Sequence, residues 1–505
     1  MLEETSGAAI IFFVMKIKFL IGLMAVAGGL SAYADVKCAD IFSDHMVLQA
    51  DMPIRIWGTA DAGEKVSVKF MNLKGGAIAD KNGYWRVNLP PKKYVKEGQE
   101  LVVQGKNTIV FKDVLVGEVW LCSGQSNMDV NITSMIDSKE FLDKNSNLPL
   151  VRYYFIPKAT AEKPRGPHDL TDAQKWLPVL PEYRRQFSMA SAVGSKFAVE
   201  LFEELGVPIG YISAAVGGSR LESWMTREAA AAAGETEYVE HMEKNFNKWQ
   251  ARDIALWEAL PAEERSKKRR PDNRCGVITW CYNAMTAPLQ PLSMRGEIWY
   301  QGEMNNGTHD NYINLFPEYA KMMRKCFENE NFYIYTVQLP DSVDKGWAPL
   351  RNVQRKLGDM VEKSGVAIII DGGETELHPR DKTKPAHRLA IMALADIYGK
   401  KIVSRSPMPK KVEAENGFVK ITFKNCAKGL KLSDGKEPRC FEVAGGDNKF
   451  HPAKAKIAGK NKILLTIPEE VIDAKKVRYA WAPDPDVNLY NSGDLPASPF
   501  EEEIK

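Results

Sequence analysis

The chain lacks most of the features that would assign it to a specialised class. Its seven cysteines fall at irregular spacings, with no Cys-x-x-Cys pair and no zinc-ligand pattern, so no metal site is expected. An excess of charge of one sign is also missing: 68 basic residues face 65 acidic ones, a net charge of +3. That balance gives no electrostatic reason to expect a nucleic acid or a membrane surface as partner. Fixed-period repeats and low-complexity tracts are absent, which removes solenoid and disordered architectures. Cys275 with Cys281, and Cys426 with Cys440, are open as disulfide pairs in an oxidising compartment, which spacing alone does not decide.

What is present begins at the N-terminus. The basic segment Met15-Lys16-Ile17-Lys18 precedes an apolar run from Phe19 to Leu30, and Ala32-Tyr33-Ala34 supplies a small-x-small cleavage site. Residues 1–34 therefore read as upstream residues and a signal peptide, with Met15 a candidate start. The mature chain is expected to begin near Asp35, without a retained membrane span, and to be exported to the periplasm or outside. A retained anchor is the alternative, opposed by polar Asp35 and Lys37 directly after Ala34. Cys38 lacks the small preceding residue of a lipoprotein signal, so no lipid anchor is expected.

At 505 residues the chain is too long for one core, and about 100–200 residues per domain suggests three units. From 35 to 116, alternation such as Lys65-Val66-Ser67-Val68-Lys69-Phe70 predicts a small antiparallel β domain. From 117 to 404, short apolar runs alternate with amphipathic stretches, which predicts a mostly parallel sheet covered by helices. Strands are expected at Glu118–Cys122, Ile209–Ala214, Glu297–Tyr300, Tyr333–Gln338 and Val366–Asp371. Helices are expected at Ala190–Leu205, Tyr312–Cys326 and Arg388–Tyr398. The Ala- and Glu-rich stretch near 226–274, ending in Lys267-Lys268-Arg269-Arg270, reads as a helical insertion. Alternation returns from 405 to 505 as a second β domain.

Four polar motifs each follow one of the predicted strands of the middle segment, and ligands of open α/β sheets bind at the carboxyl ends of strands. After the first comes Ser123-Gly124-Gln125-Ser126-Asn127-Met128, which places Ser126 on a strand-to-helix elbow as a nucleophile candidate, although a helix cap is the commoner use of such a serine. After the second, Gly217-Gly218-Ser219 leaves backbone N–H groups unshielded for a developing oxyanion, or simply makes a tight turn. Gln301-Gly302-Glu303-Met304-Asn305 follows the third. There Gln301 is a candidate oxyanion donor and Glu303 a candidate to orient the base, or both merely tie loops together. The last motif is Gly372-Gly373-Glu374-Thr375-Glu376-Leu377-His378-Pro379, whose His378 suits a general base with carboxylates two and four positions upstream.

Together, Gly124 to Met128, Gly217-Gly218-Ser219 with Glu222 and Trp224, Trp299 to Glu303, and His378-Pro379 resemble the four blocks of the sialate O-acetylesterase family within the SGNH hydrolases. Phe42 to Gln49 with Trp57-Gly58, and Arg478 to Trp481 through Leu495 to Phe500, look like that family's N- and C-terminal β segments. The resemblance implies an α/β, SGNH-hydrolase-like (flavodoxin-like) three-layer domain with parallel sheet, flanked by β-sandwich-like domains. It implies a serine esterase, without cofactor or metal, that removes acetyl groups from sugar hydroxyls. Ser126 would attack, His378 would take its proton, and the N–H groups of Ser126 and Gly218 with the Gln301 side chain would hold the oxyanion. Gln125, Asn127 and Asn305 would bind substrate. Many SGNH enzymes carry an aspartate three residues before the histidine, where this chain has Thr375. Glu376 aligns best with the acidic residue of relatives, Glu303 competes, Glu374 is a third option, and a Ser–His pair without an acid stays open. O-acetylated sialic acids are the expected substrates, with acetylxylan or another polysaccharide as the alternative and a glycan-binding protein without turnover as the alternative of another class.

Overall fold

The computed structural model describes residues 35–170, 175–268, 271, 274–341 and 346–505. The upstream and signal segment read at 1–34 lies outside the described residues, as do Arg269 and Arg270 of the basic run. Among the described residues no helix is long and apolar enough to cross a membrane.

Seven strands form the sheet that matters for the site: β1 (Thr108–Gly124), β2 (Leu148–Phe155), β3 (Leu177–Val179), β4 (Ile209–Ala215), β5 (Gly296–Tyr300), β6 (Tyr333–Val337) and β7 (Ser364–Ala367). Their spatial order is β3-β2-β4-β1-β5-β6-β7, parallel throughout except for β3 on β2. The five strands β4, β1, β5, β6 and β7 thus stand in the chain order second, first, third, fourth, fifth. The carboxyl half of β1 and all of β4 and β5 are buried on both faces, which is why they read as continuous apolar runs instead of alternating ones.

Both faces of this sheet are covered. Helices α1 (Ser126–Asp129), α2 (Ala192–Leu205), α4 (His309–Cys326), α5 (Trp347–Gln354) and α6 (Thr383–Asp396) surround it, while α3 (Thr236–Glu258) packs outside them on the short helix Arg227–Ala232. Trp120 and Cys122 face one side with Val193, Phe197 and Leu201 of α2 and Leu389, Ala390 and Ala393 of α6. Leu121 and Trp299 face the other with Tyr312, Phe316 and Tyr319 of α4 and Leu350 of α5. The spacing of three or four between these helical residues is what aligns them on one stripe. Burying a side chain such as fully enclosed Phe197 stabilises the fold by about 1.5–3 kcal/mol. Helix α2 starts at Ser191, whose hydroxyl accepts from Gly194 N at 3.1 Å, and stops at Gly206 with φ +61°.

Strand β1 does two jobs. Its first half pairs antiparallel with Val95–Gln104 and parallel with Val47–Gln49, and its second half is the middle of the parallel sheet, so residues 116 and 117 lie inside one continuous strand. At the other end of the chain, two four-stranded antiparallel sheets share a core that includes Val419, Ile421, Val443, Leu465 and Val477. The predicted strand Val366–Asp371 is shorter than expected. Strand β7 ends at Ala367 because its neighbour β6 ends at Val337 and no further backbone is there to pair; Ile368, Ile369 and Ile370 are nevertheless buried. All seven cysteines are free thiols. Neither pair left open in the sequence is bridged, and the thiols of Cys281 and Cys440 face the carbonyls of Cys275 and Asp486.

Candidate active site

The carboxyl ends of β1, β4 and β5 carry three of the four motifs to one edge of the sheet. At the end of β1, Gly124 adopts φ +131°, and a Cβ there would lie 2.2 Å from the Tyr300 carbonyl oxygen on β5. No other residue fits this turn without moving β5. The chain then swings into α1, with Gln125 N donating to Tyr300 O at 3.0 Å and Ser126 at the first helical position. Past the end of β7 the loop 372–379 returns to the same edge. There His378 Nε2 lies 2.8 Å from Ser126 Oγ.

The base of that loop is held by Asp371, which accepts from Arg388 Nη1 at 2.6 Å and Nη2 at 2.8 Å and is touched by Tyr490 at 3.3 Å. The two guanidinium contacts keep its carboxyl below the ordinary range in spite of burial. His378 itself is solvent-exposed. Partial burial and then the charge of Lys382 lower its pKa, while the charge of Asp129 opposes them. Its Nδ1 makes no hydrogen bond among the described residues.

None of the three carboxylates considered from the sequence reaches that nitrogen. Glu376 is exposed and makes no side-chain hydrogen bond or ion pair. Glu374 caps the following turn, accepting from Arg380 N at 2.7 Å and Asp381 N at 2.9 Å. The buried carboxyl of Glu303 accepts from Asn127 Nδ2 at 2.5 Å, and burial raises its pKa. Residues 376–378 form a bend, and there the Glu376 side chain is turned to water.

The amide residues also differ from expectation. Gln301, fully buried, donates from Nε2 to Ser219 O at 3.1 Å and to Asn305 Oδ1 at 2.8 Å, while its Oε1 accepts from Tyr312 at 3.0 Å. Its two amide protons are both taken up, so it is not an oxyanion donor in this arrangement. Asn305 in turn accepts from Leu221 N at 3.0 Å and donates to Glu222 at 2.8 Å. Gln125 accepts from Gly302 N at 3.3 Å and Met304 N at 3.4 Å. Asn127 donates to Glu303 and, at 3.0 Å, to Leu377 O. Thus Gln125, Asn127 and Asn305, read as substrate-binding residues, are buried and tie the motif loops together, because buried polar side chains must satisfy one another once water is excluded.

What remains free is backbone. The N–H groups of Ser126, Gly217 and Gly218 donate no hydrogen bond among the described residues. Gly217 stands beside the serine, since a Cβ on it would lie 3.5 Å from Ser126 Cβ; Gly218 follows with φ +76°. Unpaired N–H groups next to a nucleophile are the donors that stabilise negative charge developing on a carbonyl oxygen.

Ser126 and His378 open onto a cleft of about 1070 Å³. Its wall is mixed: Tyr153, Phe155 and Leu177 are apolar, and Lys158, Lys175, Arg185 and Arg380 outnumber the one carboxylate, Asp129. Asp129 was not singled out from the sequence. Its spacing of three from Ser126 on α1 places it on the same helix face, which is the signal that identifies it. It pairs with Lys158 at 2.5 Å. Among the described residues no group of three or more His, Cys, Asp or Glu side chains is arranged to hold a metal ion.

The chain is similar to known esterases along nearly its whole length. The chain is 27% identical over 520 residues to a sialate O-acetylesterase of Rattus norvegicus, covering 93% of this chain and 94% of that protein. It is 26% identical over 516 residues to a sialate O-acetylesterase of Homo sapiens, covering 93% of each. Among solved structures, a carbohydrate acetylesterase from Xanthomonas citri superposes with a TM-score of 0.79 at 29% identity, covering 92% of this chain and 99% of that one. No protein-family model matches the chain. Similar to the sialate O-acetylesterases over nearly its whole length and folded like a carbohydrate acetylesterase, the chain is a carboxylic ester hydrolase, sialate O-acetylesterase-like.

Proposed function

We propose that the chain is an SGNH-type serine esterase that removes O-acetyl groups from sugars, with O-acetylated sialic acids as its preferred substrates. The observation that carries the mechanism is the 2.8 Å contact between Ser126 Oγ and His378 Nε2 at the floor of the cleft. Ser126 Oγ attacks the acetyl carbonyl carbon while its proton passes to His378 Nε2. The carbonyl electrons move to oxygen, where the N–H groups of Ser126, Gly217 and Gly218 receive the charge. As the tetrahedral intermediate collapses, the sugar oxygen leaves with the proton from His378, and an acetyl ester of Ser126 remains. Water repeats the attack, giving its proton to His378, and acetate leaves as the serine regains a proton.

The SGNH classification is supported by the run β4, β1, β5, β6 and β7, which stands in the flavodoxin-like order second, first, third, fourth, fifth, with β2 added as a sixth parallel strand outside β4. In that reading 35–116 and 405–505 are flanking β domains of a catalytic domain spanning 117–404, and the signal segment directs the chain out of the cytoplasm. Preference for an acidic sugar is supported by the names of the relatives and by the four cations against one carboxylate around the cleft, which favour a substrate bearing a carboxylate. His378 then works without a carboxylate bonded to its Nδ1, with Asp129 supplying a through-space charge.

The test is acetate release from O-acetylated sialic acid and from acetylated xylan by the wild type and Ser126→Ala. Release from the sialic acid, abolished by the substitution, is the expected result. Release from xylan alone moves the substrate to a neutral polysaccharide, and release undiminished by the substitution removes the serine mechanism.

A further inference from the structure

We infer that Lys382 is a positioning residue for this esterase: its ammonium fixes Asn127, and through Asn127 the main chain that carries His378, in the arrangement needed to take the proton of Ser126. The inference rests on the serine-esterase reading of Ser126 and His378 and concerns a residue outside the cleft.

Lys382 lies just ahead of α6 and is completely buried. Its Nζ donates to Asn127 Oδ1 at 2.6 Å and sits 5.5 Å from the centre of the Tyr300 ring. It forms no ion pair among the described residues, which is costly for a buried ammonium and is tolerated only where the surrounding groups are arranged to receive it. Asn127 follows Ser126 directly in the chain, and its Nδ2 donates to the carbonyl of Leu377, the residue before His378, at 3.0 Å. A single amide therefore spans the two halves of the Ser–His pair. Its other Nδ2 contact is Glu303 Oε1 at 2.5 Å, so Asn127 stands between a buried ammonium and a buried carboxyl.

This geometry fixes which way the amide points. An Asn side chain is nearly symmetric in shape, and only its partners decide which end donates. With Lys382 protonated, Oδ1 must face it, which leaves Nδ2 toward Leu377 O. The lysine also carries charge toward the imidazole: His378 is faced by Lys382, which favours its neutral form, and by Asp129, which favours its protonated form. Glu303, Glu374 and Asp381 oppose the burial that draws Lys382 itself down to about 8. A neutral His378 is the form that acts as base.

The test uses the full chain with p-nitrophenyl acetate, comparing Lys382→Met, Lys382→Gln and Lys382→Arg over a range of pH, with Ser126→Ala alongside. Lys382→Met is expected to lower kcat roughly tenfold to a hundredfold with KM within about twofold, the effect of a misplaced reacting group. Its acid limb moves to higher pH. Lys382→Gln keeps a donor but not the charge, so its acid limb also moves up while kcat falls less; Lys382→Arg keeps the limb in place. Asn127→Ala reproduces the kcat loss, and the double variant with Lys382→Met falls no further, since both act through one amide. Should Lys382→Met not fold, the Gln and Arg variants and Asn127→Ala decide the matter. Folded Met or Gln variants with unchanged kcat and an unmoved acid limb, or losses that add fully in the double variant, overturn the inference. Activity retained by Ser126→Ala would instead remove the serine-esterase reading beneath it.

Discussion

His378 Nε2 and Ser126 Oγ are 2.8 Å apart although 252 positions separate the two residues in the chain. The contact exists because the elbow after β1 and the loop after β7 end at the same edge of one parallel sheet. Replacing His378 with Ala removes the proton acceptor and leaves the elbow intact. Its kcat/KM for acetyl esters is expected to fall by about a thousandfold or more, with thermal stability close to wild type because the residue is exposed. Steady-state kinetics and a melting curve on the same preparation check this.

The carboxylates should separate cleanly. Glu376 is exposed without a partner, so Glu376→Ala is expected to change kcat/KM by less than about threefold, as for a surface substitution. Asp129 raises the pKa of His378 through space. Asp129→Asn therefore moves the acid limb of the kcat/KM profile to lower pH, because the imidazole loses its proton more readily. A large loss in Glu376→Ala would show that this side chain turns inward to His378 during turnover.

Gln301 belongs to the framework under the site. Gln301→Ala strips a partner from buried Ser219 O, Asn305 Oδ1 and the Tyr312 hydroxyl. Asn305 Oδ1 keeps Leu221 N and the Tyr312 hydroxyl keeps Trp299 Nε1, whereas Ser219 O loses its side-chain donor; a buried group left unpaired costs about 1–3 kcal/mol, so the variant is expected to unfold at lower denaturant concentration. A variant with normal stability and kcat reduced a hundredfold would return Gln301 to the oxyanion hole.

Beneath the serine, Glu297 is fully buried among Ser123 and Tyr319, the latter donating at 2.8 Å, and burial raises its pKa to about 7. A folded pKa above the unfolded one means that the contribution to stability is complete below about 4.5 and is lost as pH rises through 7. Raising pH from 5 to 8 should therefore cost the wild type up to roughly 3 kcal/mol through this group. Glu297→Gln has the same shape and no charge at any pH, and should lose less stability over that range. Urea unfolding of both proteins at the two pH values measures the difference.

Much of this was legible in the sequence, and the reasons differ by element. Buried parallel strands announce themselves as apolar runs, so β4 and β5 fall within one residue of expectation. Glycines that must approach another backbone, such as Gly124 against Tyr300 O, mark the turn that carries Ser126. Pairing limits are not written in the strand itself: Ile368 to Ile370 look like strand and are buried, yet β6 offers them no partner. Side-chain direction is equally hidden. Gln125, Asn127, Gln301 and Asn305 have the chemistry of a binding site, but their satisfaction by one another depends on which loops meet, and that is a property of the tertiary fold. The burial of Lys382 and the cations around the cleft come from distant parts of the chain and carry no local signature.

The most direct test of the central claim is covalent labelling of the full chain with a fluorophosphonate, which captures an activated serine in place of the acetyl group. The account predicts one adduct, mapped by peptide mass spectrometry to Ser126, absent in Ser126→Ala and strongly slowed in His378→Ala. An unlabelled wild type that still releases acetate, or an adduct on another residue, would contradict it.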